Sequence, residues 1–544
     1  MKIALAQLNP VVGDIVGNTR RIEDCINRAA KLGAELVVFP ELSVLGYPPR
    51  DLLRKEQFVA DSAAAIEALA NHCQGIAALV GFVRHNPLPS GRPLENAAAL
   101  LADGAVRGVH VKTLLPTYDV FDETRYFAPG GEPKCMELGG VKLGVSICED
   151  LWDAESLGRA IYGNDPVGRL RSSGADVIIN MAASPFEMGK ADVREDLFSR
   201  RARRCGATIV FVNQVGGNDD LVFDGGSCVV SAGGKIMGRC HSFDEDLLVV
   251  DTATGGARCE PLGEPIARLS RALKLGLSDY VRKCGFSSVV LGLSGGIDSA
   301  VVTALAADAL GGDNVHAIAM PSRHSSEHSV EDSRELARNC GVHLRLIPIE
   351  PMHAAFERQL GGLLAAGDAE IAGENIQARI RGNIVMALSN AYGHLPLATG
   401  NKSELSVGYC TLYGDMCGGL APIGDVLKTD VYRLAAQLNA EAGFARIPAN
   451  IISKAPSAEL KPNQVDQDKL PPYELLDAIL ARYIESDQTA EQIIADGFDE
   501  PTVRRVVRMV DAAEYKRKQA APTLKISAKA FGTGRRVPIA QRYV

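Results

Sequence analysis

The run Ser288-Val289-Val290-Leu291 leads directly into Leu293-Ser294-Gly295-Gly296-Ile297-Asp298-Ser299, and an alanine-rich stretch follows. A strand that passes through Ser-Gly-Gly-x-Asp-Ser into a helix points to an open α/β sheet whose helix N-terminus faces an anion. Gly295 and Gly296 allow a tight turn and let the backbone approach that anion closely. Ser294 and Ser299 add hydroxyl donors, and Asp298 places a carboxylate where a metal on phosphates would sit. The loop from Gly292 through Leu293 and Ile297 to Ser299 is therefore a candidate pyrophosphate cradle. A plain Gly-Gly connection would need neither the serines nor the aspartate. The Walker pattern Gly-x-x-x-x-Gly-Lys-Ser/Thr is absent here and from the rest of the sequence, which argues against chemistry at a γ-phosphate.

At 544 residues the chain is too long for one core, and two or three domains are expected. Hydrophobic residues make up 46% and charged residues 23%, the balance of a soluble globular protein. A net charge of −8 argues against a general nucleic-acid or anionic-membrane surface. No apolar run reaches transmembrane length, and Met1–Gln7 reads as a first strand, not as a signal peptide. The 12 cysteines include no Cys-x-x-Cys pair and read as reduced thiols, mostly core filler. A cytoplasmic enzyme acting on small molecules, with no nucleic-acid or membrane partner, is the expectation.

Strand signals in the first half fall at Lys2–Leu8, Glu35–Phe39, Ile76–Val83, Asn96–Leu101, Val141–Ile147, Asp176–Met181, Thr208–Asn213 and Leu247–Asp251. Helical stretches such as Asp51–Cys73 and Ala191–Cys205 lie between them. Asp103-Gly104 and Gly233-Gly234 look like hairpin turns, so the sheet is mixed, and helices over it give a layered α/β domain. The cluster Arg200-Arg201-Ala202-Arg203-Arg204 reads most simply as a solvated helix face. Residues 253–265, rich in Gly, Thr and Pro, read as a linker between domains at 1–252 and 266–544. Past it, Val289–Leu293, a helix to Leu310, Val315–Ala319, a helix over Glu327–Cys340 and Leu344–Ile349 predict a doubly wound parallel sheet.

Three segments of the first half each end a strand with a reactive side chain: Phe39-Pro40-Glu41, Lys112-Thr113-Leu114-Leu115-Pro116 and Ile147-Cys148-Glu149-Asp150. Alone, each has an ordinary explanation in a solvated charge or a core thiol. Together and in this order they resemble the nitrilase superfamily of carbon–nitrogen hydrolases over about the first 250 residues, which implies an α-β-β-α layered domain. The resemblance makes Cys148 the nucleophile, a residue type suited to a poorly electrophilic amide. Glu41 would take the thiol proton and later activate water, and Lys112 would stabilise the oxyanion. Cys148 would sit on a sharp strand-to-helix turn with its sulfur exposed. Glu123 fits the second glutamate that orients the lysine. By likeness to the glutaminase branch, Tyr118, Ser184 and Lys190 would line a glutamine pocket.

In the second half, Glu374-Asn375-Ile376-Gln377-Ala378-Arg379 puts Asn375 and Arg379 on one helical face. Leu397-Ala398-Thr399-Gly400-Asn401-Lys402-Ser403-Glu404 is a second strand-to-helix turn. A Gly-rich stretch ends at Lys428, and Ser453-Lys454-Ala455-Pro456-Ser457 follows. The pyrophosphate loop resembles that of the ATP pyrophosphatases, and with these segments and the tail from Lys525 it resembles the NAD synthetases, in their glutamine-dependent two-domain form. The resemblance implies adenylation of deamido-NAD by ATP, followed by attack of ammonia. Thr399, Lys428 and Ser457 would contact ATP, with Asn375, Arg379, Glu404 and Lys525 toward the dinucleotide. Mg2+ would be held by Asp298 and Glu404. A tunnel for ammonia and a homo-oligomer with paired synthetase domains are further implications. Other readings stay open here: an ATP-dependent amidating synthetase for a different acid, an amidase whose second domain senses nucleotide, and a nucleotide-binding regulator.

Overall fold

Alternate residues of the first strand, Lys2–Gln7, enter two different cores. Ile3 and Leu5 pack with Leu143, Val145 and Ile147 of a second sheet, whereas Ala4 and Ala6 pack with Ile22, Ile26 and Ala29 of the helix Ile15–Lys31. A strand buried on both faces in this way sits inside a layered α-β-β-α sandwich. The computed structural model describes residues 1–364 and 369–543, divided into two units, Met1–Gly263 and Glu264–Val544.

The first sheet of the first unit runs Asp246–Asp251, Lys2–Gln7, Leu36–Val38, Ala77–His85, Leu94–Ala102, Ala105–Val111. Its three parallel strands, Lys2–Gln7, Leu36–Val38 and Ala77–His85, are flanked by antiparallel ones. The second sheet runs Ile236–Arg239, Cys228–Val230, Thr208–Asn213, Val177–Ala182, Val141–Ile147, Met136–Leu138, again with a parallel centre. Both expected hairpins form, at Asp103-Gly104 and Gly233-Gly234. The expected helix over Asp51–Cys73 is instead a short turn, Arg50–Arg54, and a helix, Glu56–His72, separated by an extended Lys55.

The arginine cluster departs from expectation. Arg201 is 1% exposed and ion-paired with Asp165, which caps the helix Pro166–Ser172. A partner from a separate segment pulls that guanidinium inward, leaving Arg203 and Arg204 on the exposed face.

In the second unit four parallel strands lie in the order His343–Leu346, Val315–Ala319, Val289–Gly292, Leu395–Leu397. The order reverses between Val289–Gly292 and Leu395–Leu397, the place where open α/β sheets bind ligands. A separate helical core gathers Leu476, Ile479 and Leu480 with Val503, Val506 and Val510. No disulfide forms, and no helix among the described residues is long and apolar enough to cross a membrane.

Candidate active sites

Glu41, Lys112 and Cys148 each follow a strand: Leu36–Val38, Ala105–Val111 and Val141–Ile147. The first two strands belong to one sheet and the third to the other, so this site lies where exits of both sheets meet. Gly81 on the neighbouring strand makes room for Glu41, because a Cβ there would stand 2.5 Å from the Leu42 nitrogen and 2.6 Å from the Pro40 carbonyl oxygen.

Lys112 Nζ donates to Glu41 Oε1 at 2.7 Å and to Glu123 Oε1 at 2.8 Å. Asn96 Nδ2 donates to the same Glu41 oxygen at 2.7 Å, and the Ala183 N–H donates to Glu41 Oε2 at 3.1 Å. Tyr47 Oη donates to Glu123 Oε1 at 2.9 Å. Burial opposes the charge on Lys112, but Glu123 and Glu41 outweigh it and hold the ammonium protonated well above the ordinary lysine range. Burial also pushes Glu123 up to about 7 despite the lysine.

Cys148 has φ +45°, the left-handed geometry of a sharp turn. Its sulfur is not displayed as expected. The residue is 6% exposed and belongs to the core between the sheets, because the turn is packed among residues of both. Burial, with Glu41 next, raises the thiol well above the ordinary cysteine range, and Lys112 pulls the other way.

Next to the cysteine, Glu149 is 2% exposed. Its carboxylate accepts from Tyr118 Oη at 3.0 Å and from Tyr162 Oη at 2.9 Å. Lys190 acts electrostatically on Glu149, and its Nζ lies 5.9 Å from the centre of the Trp152 ring. Ser184 follows the Ala183 that donates to Glu41, and its N–H donates to Asn213 Oδ1 at 2.8 Å. Glu149, Tyr162, Asn96 and Tyr47 were not singled out from sequence. Glu149 sits inside the Ile-Cys-Glu-Asp motif, which was the available signal.

In the second unit, residues from Gly292 to Ser299, apart from Gly295, line one cavity together with Thr399, Gly400, Glu404, Lys428 and Ser457. Gly295 has φ +78°, and a Cβ there would stand 2.5 Å from the Ser329 carbonyl oxygen. Ser294 Oγ and Ser299 Oγ shape the loop itself: Gly296 N–H donates to Ser294 Oγ at 3.2 Å, and Ser299 Oγ donates to the Gly296 carbonyl at 3.0 Å. The helix Ile297–Leu310 then begins, and its first residues, Ile297, Asp298 and Ser299, line the cavity.

Lys428, 2% exposed, donates to Asp298 and, at 3.4 Å, to Glu404 Oε1. Asn401 Nδ2 donates to Asp298 Oδ1 at 2.8 Å while its Oδ1 caps the helix that carries Glu404. Burial, then the charge of Asp298, pushes Glu404 up to about 8. Ser403, on the helix Lys402–Val407, ties it to the helices Lys428–Ala442 and Tyr473–Leu480: its Oγ accepts from the Lys428 N–H at 2.9 Å and donates to Asp477. Asp477 also accepts from the Thr429 N–H at 2.9 Å.

The donor set suits Mg2+ arriving on a polyphosphate. That ion takes one or two carboxylates and keeps waters and phosphate oxygens for the rest. Asp298 and Glu404 share Lys428 in one cavity, whose lining also includes Asp415, Glu459 and Asp466, and the charge of Asp298 adds to burial in raising Glu404. Among the described residues no cluster of three or more carboxylate, His or Cys ligands forms, so the protein alone builds no metal cage.

Asn375, Arg379 and Lys525 do not line this cavity. Asn375 Oδ1 accepts from Thr411 Oγ1 at 2.8 Å, and Arg379 Nε donates to the Leu412 carbonyl at 3.2 Å. Lys525 is 3% exposed and donates to the Ser527 carbonyl at 2.7 Å. Arg381, two residues past Arg379, does line the cavity and was missed, as were Lys454 and Glu459.

The first unit has the fold and strand-end residues of a nitrilase-type carbon–nitrogen hydrolase, and the second those of an ATP-pyrophosphatase-type synthetase. Residues 2–258 match the carbon-nitrogen hydrolase family and residues 269–520 the NAD synthase family. The chain is 47% identical to a glutamine-dependent NAD(+) synthetase of Synechocystis sp. over 99% of both chains. It is 42% identical to one of Thermotoga maritima, over 100% of this chain and 99% of that one. Among solved structures it resembles the glutamine-dependent NAD+ synthetase of Acinetobacter baumannii in complex with ADP, at a TM-score of 0.79 and 41% identity, over 99% of this chain and 98% of that one. The chain belongs to the glutamine-dependent NAD(+) synthetase family.

Proposed function

We propose that this chain hydrolyses L-glutamine in its first unit and uses the ammonia to convert deamido-NAD(+) to NAD(+) in its second. The observation that carries this reading is the Lys112 ammonium held between Glu41 and Glu123 beside Cys148, in a chain that also holds a phosphate loop.

Glu41 takes the Cys148 thiol proton as sulfur attacks the side-chain amide carbon of glutamine. The resulting oxyanion is stabilised by Lys112, a contribution of roughly a few kcal/mol in such sites. The proton passes to the leaving nitrogen, ammonia departs, and a thioester remains. Glu41 then activates a water that releases glutamate and restores the thiol. Glu149, fixed by Tyr118 and Tyr162, supplies the negative charge that the substrate's α-ammonium requires. In this reading Ser184 and Lys190 line the same glutamine pocket.

At the second site the nicotinate carboxylate attacks the α-phosphorus of ATP and expels pyrophosphate. Ammonia then attacks the acyl carbon and AMP leaves. The Gly292–Ser299 loop holds the phosphates, Lys428 neutralises charge that develops on them, and Thr399 and Ser457 contact the nucleotide. Mg2+ bound with the phosphates would be held by Asp298 and Glu404 and would supply further charge neutralisation. The dinucleotide lies along the helix Ala369–Tyr392, against Asn375 and Arg379. Lys525, which donates to the Ser527 carbonyl, would contact it from the tail of the chain.

The test is a product assay with Mg2+, ATP, glutamine and deamido-NAD(+). Equal amounts of AMP, pyrophosphate and NAD(+), with glutamate, are expected. AMP formation that depends on a different carboxylic acid would assign the chain another substrate, and no AMP at all would contradict the reading.

A further inference from the structure

Asp150 has no exposure to water. Its Oδ2 accepts from the Ile147 N–H at 3.0 Å, and its Oδ1 accepts from the N–H groups of Thr113 at 3.0 Å and Leu114 at 2.7 Å. His110 Nε2, which has no hydrogen-bond partner, lies 3.7 Å from the same Oδ2. Ile147 ends the strand Val141–Ile147 of the second sheet, whereas Thr113 and Leu114 follow Ala105–Val111 of the first. One carboxylate therefore ties together the exits of two sheets. Each of those exits carries a reactive residue next to a bonded amide: Cys148 follows Ile147, and Lys112 precedes Thr113.

The turn at Cys148 needs such a tie. A side-chain-bearing residue at φ +45° costs about 1–3 kcal/mol and persists only where its surroundings over-determine it. A carboxylate that accepts three backbone N–H groups is a strong and directional clamp. The Lys112 amide itself donates to the Asn96 carbonyl within its own sheet, and the further tie from this segment is the side-chain bond of Tyr118 Oη to Glu149.

We propose that Asp150 is the positioning residue of the glutaminase site, setting the distance and angle between Cys148 and Lys112 without touching glutamine. A carboxylate suits this place because the three facing backbone groups are all donors and both of its oxygens accept. Asparagine would turn its amide N–H groups toward one of them. The proposal rests on the reading of Cys148 as the nucleophile.

The experiment uses the full chain with Asp150→Asn and Asp150→Ser, and follows glutamate release and ammonia-driven NAD(+) formation on the same samples. A misplacement of about 1 Å costs on the order of 10²-fold in rate. Glutaminase kcat is therefore expected to fall by about that factor while KM for glutamine moves by less than about threefold. Ammonia-driven synthesis stays within about twofold and reports that the protein is folded. His110→Ala leaves the three N–H bonds in place and is expected to keep at least about a third of glutaminase kcat. Near-normal glutaminase kcat in the Asp150 variants would overturn the proposal. So would loss of both activities together, since the carboxylate would then serve the fold alone. A wild-type protein that released no glutamate from glutamine would instead overturn the underlying reading.

Discussion

Lys112 Nζ stands 2.7 Å from Glu41 Oε1, and neither side chain is exposed to water. With Glu123 on its other side at 2.8 Å, the single ammonium balances two buried carboxylates. Removing it leaves charge without a partner in the core, which costs roughly 3–5 kcal/mol. Lys112→Met is expected to lower the first calorimetric transition sharply, and Lys112→Met/Glu123→Gln to recover part of the loss. The sign of the pH effect follows from Glu123, which burial holds up near 7. A carboxyl raised in the folded state stabilises through its protonated form, fully at low pH, and loses that contribution as pH rises through about 7. The Lys112→Met deficit should therefore be smaller at pH 5 than at pH 8, and an equal deficit at both would contradict the arrangement.

Burial and Glu41 raise the Cys148 thiol well above the ordinary cysteine range, so a neutral thiol is expected before glutamine binds. Without glutamine, iodoacetamide should alkylate Cys148 more slowly at pH 7.5 than the exposed Cys259, and the rate at Cys148 should still be climbing at pH 9. Peptide mapping by mass spectrometry distinguishes the two. A Cys148 rate that is already level by pH 7 would mean a thiolate.

Gly295 and Gly296 are not equivalent. A Cβ at Gly295 meets backbone at 2.5 Å in a left-handed conformation, whereas at Gly296, φ −89°, the nearest atom is Ser294 Oγ at 3.3 Å. Gly295→Ala is expected to abolish ammonia-driven synthesis, and Gly296→Ala to retain measurable activity. Comparable activity in the two variants would show that the loop rearranges.

Lys428 is shared by Asp298 and Glu404. Lys428→Met should cut ammonia-driven NAD(+) formation by about 10²–10³, the usual worth of one preorganised charge at a transition state. An unchanged turnover number would exclude Lys428 from the phosphate chemistry.

Much of this was legible in the amino-acid sequence because chemistry and secondary structure coincide. Glu41, Lys112 and Cys148 each terminate an apolar run, and the Ser-Gly-Gly-x-Asp-Ser loop joins a strand to a helix. What escaped depends on partners remote in sequence. Glu149 and Asp150 sit inside a recognised motif, but their roles come from Tyr118, Tyr162, Thr113 and Leu114 on other segments. Arg201 belongs to a charged run that reads as solvated until Asp165 is brought against it. Short strands such as Val215–Asn218 and Cys228–Val230 carry too few residues for an alternation to register.

The most direct measurement compares NAD(+) formation by wild-type protein and Cys148→Ala with glutamine or ammonium as nitrogen source. Wild-type protein should use both, and Cys148→Ala should lose the glutamine-driven reaction entirely while keeping ammonia-driven turnover within about twofold of wild type. Glutamine-driven NAD(+) formation by the cysteine-free site would contradict thioester chemistry at residue 148 and the division of labour built on it.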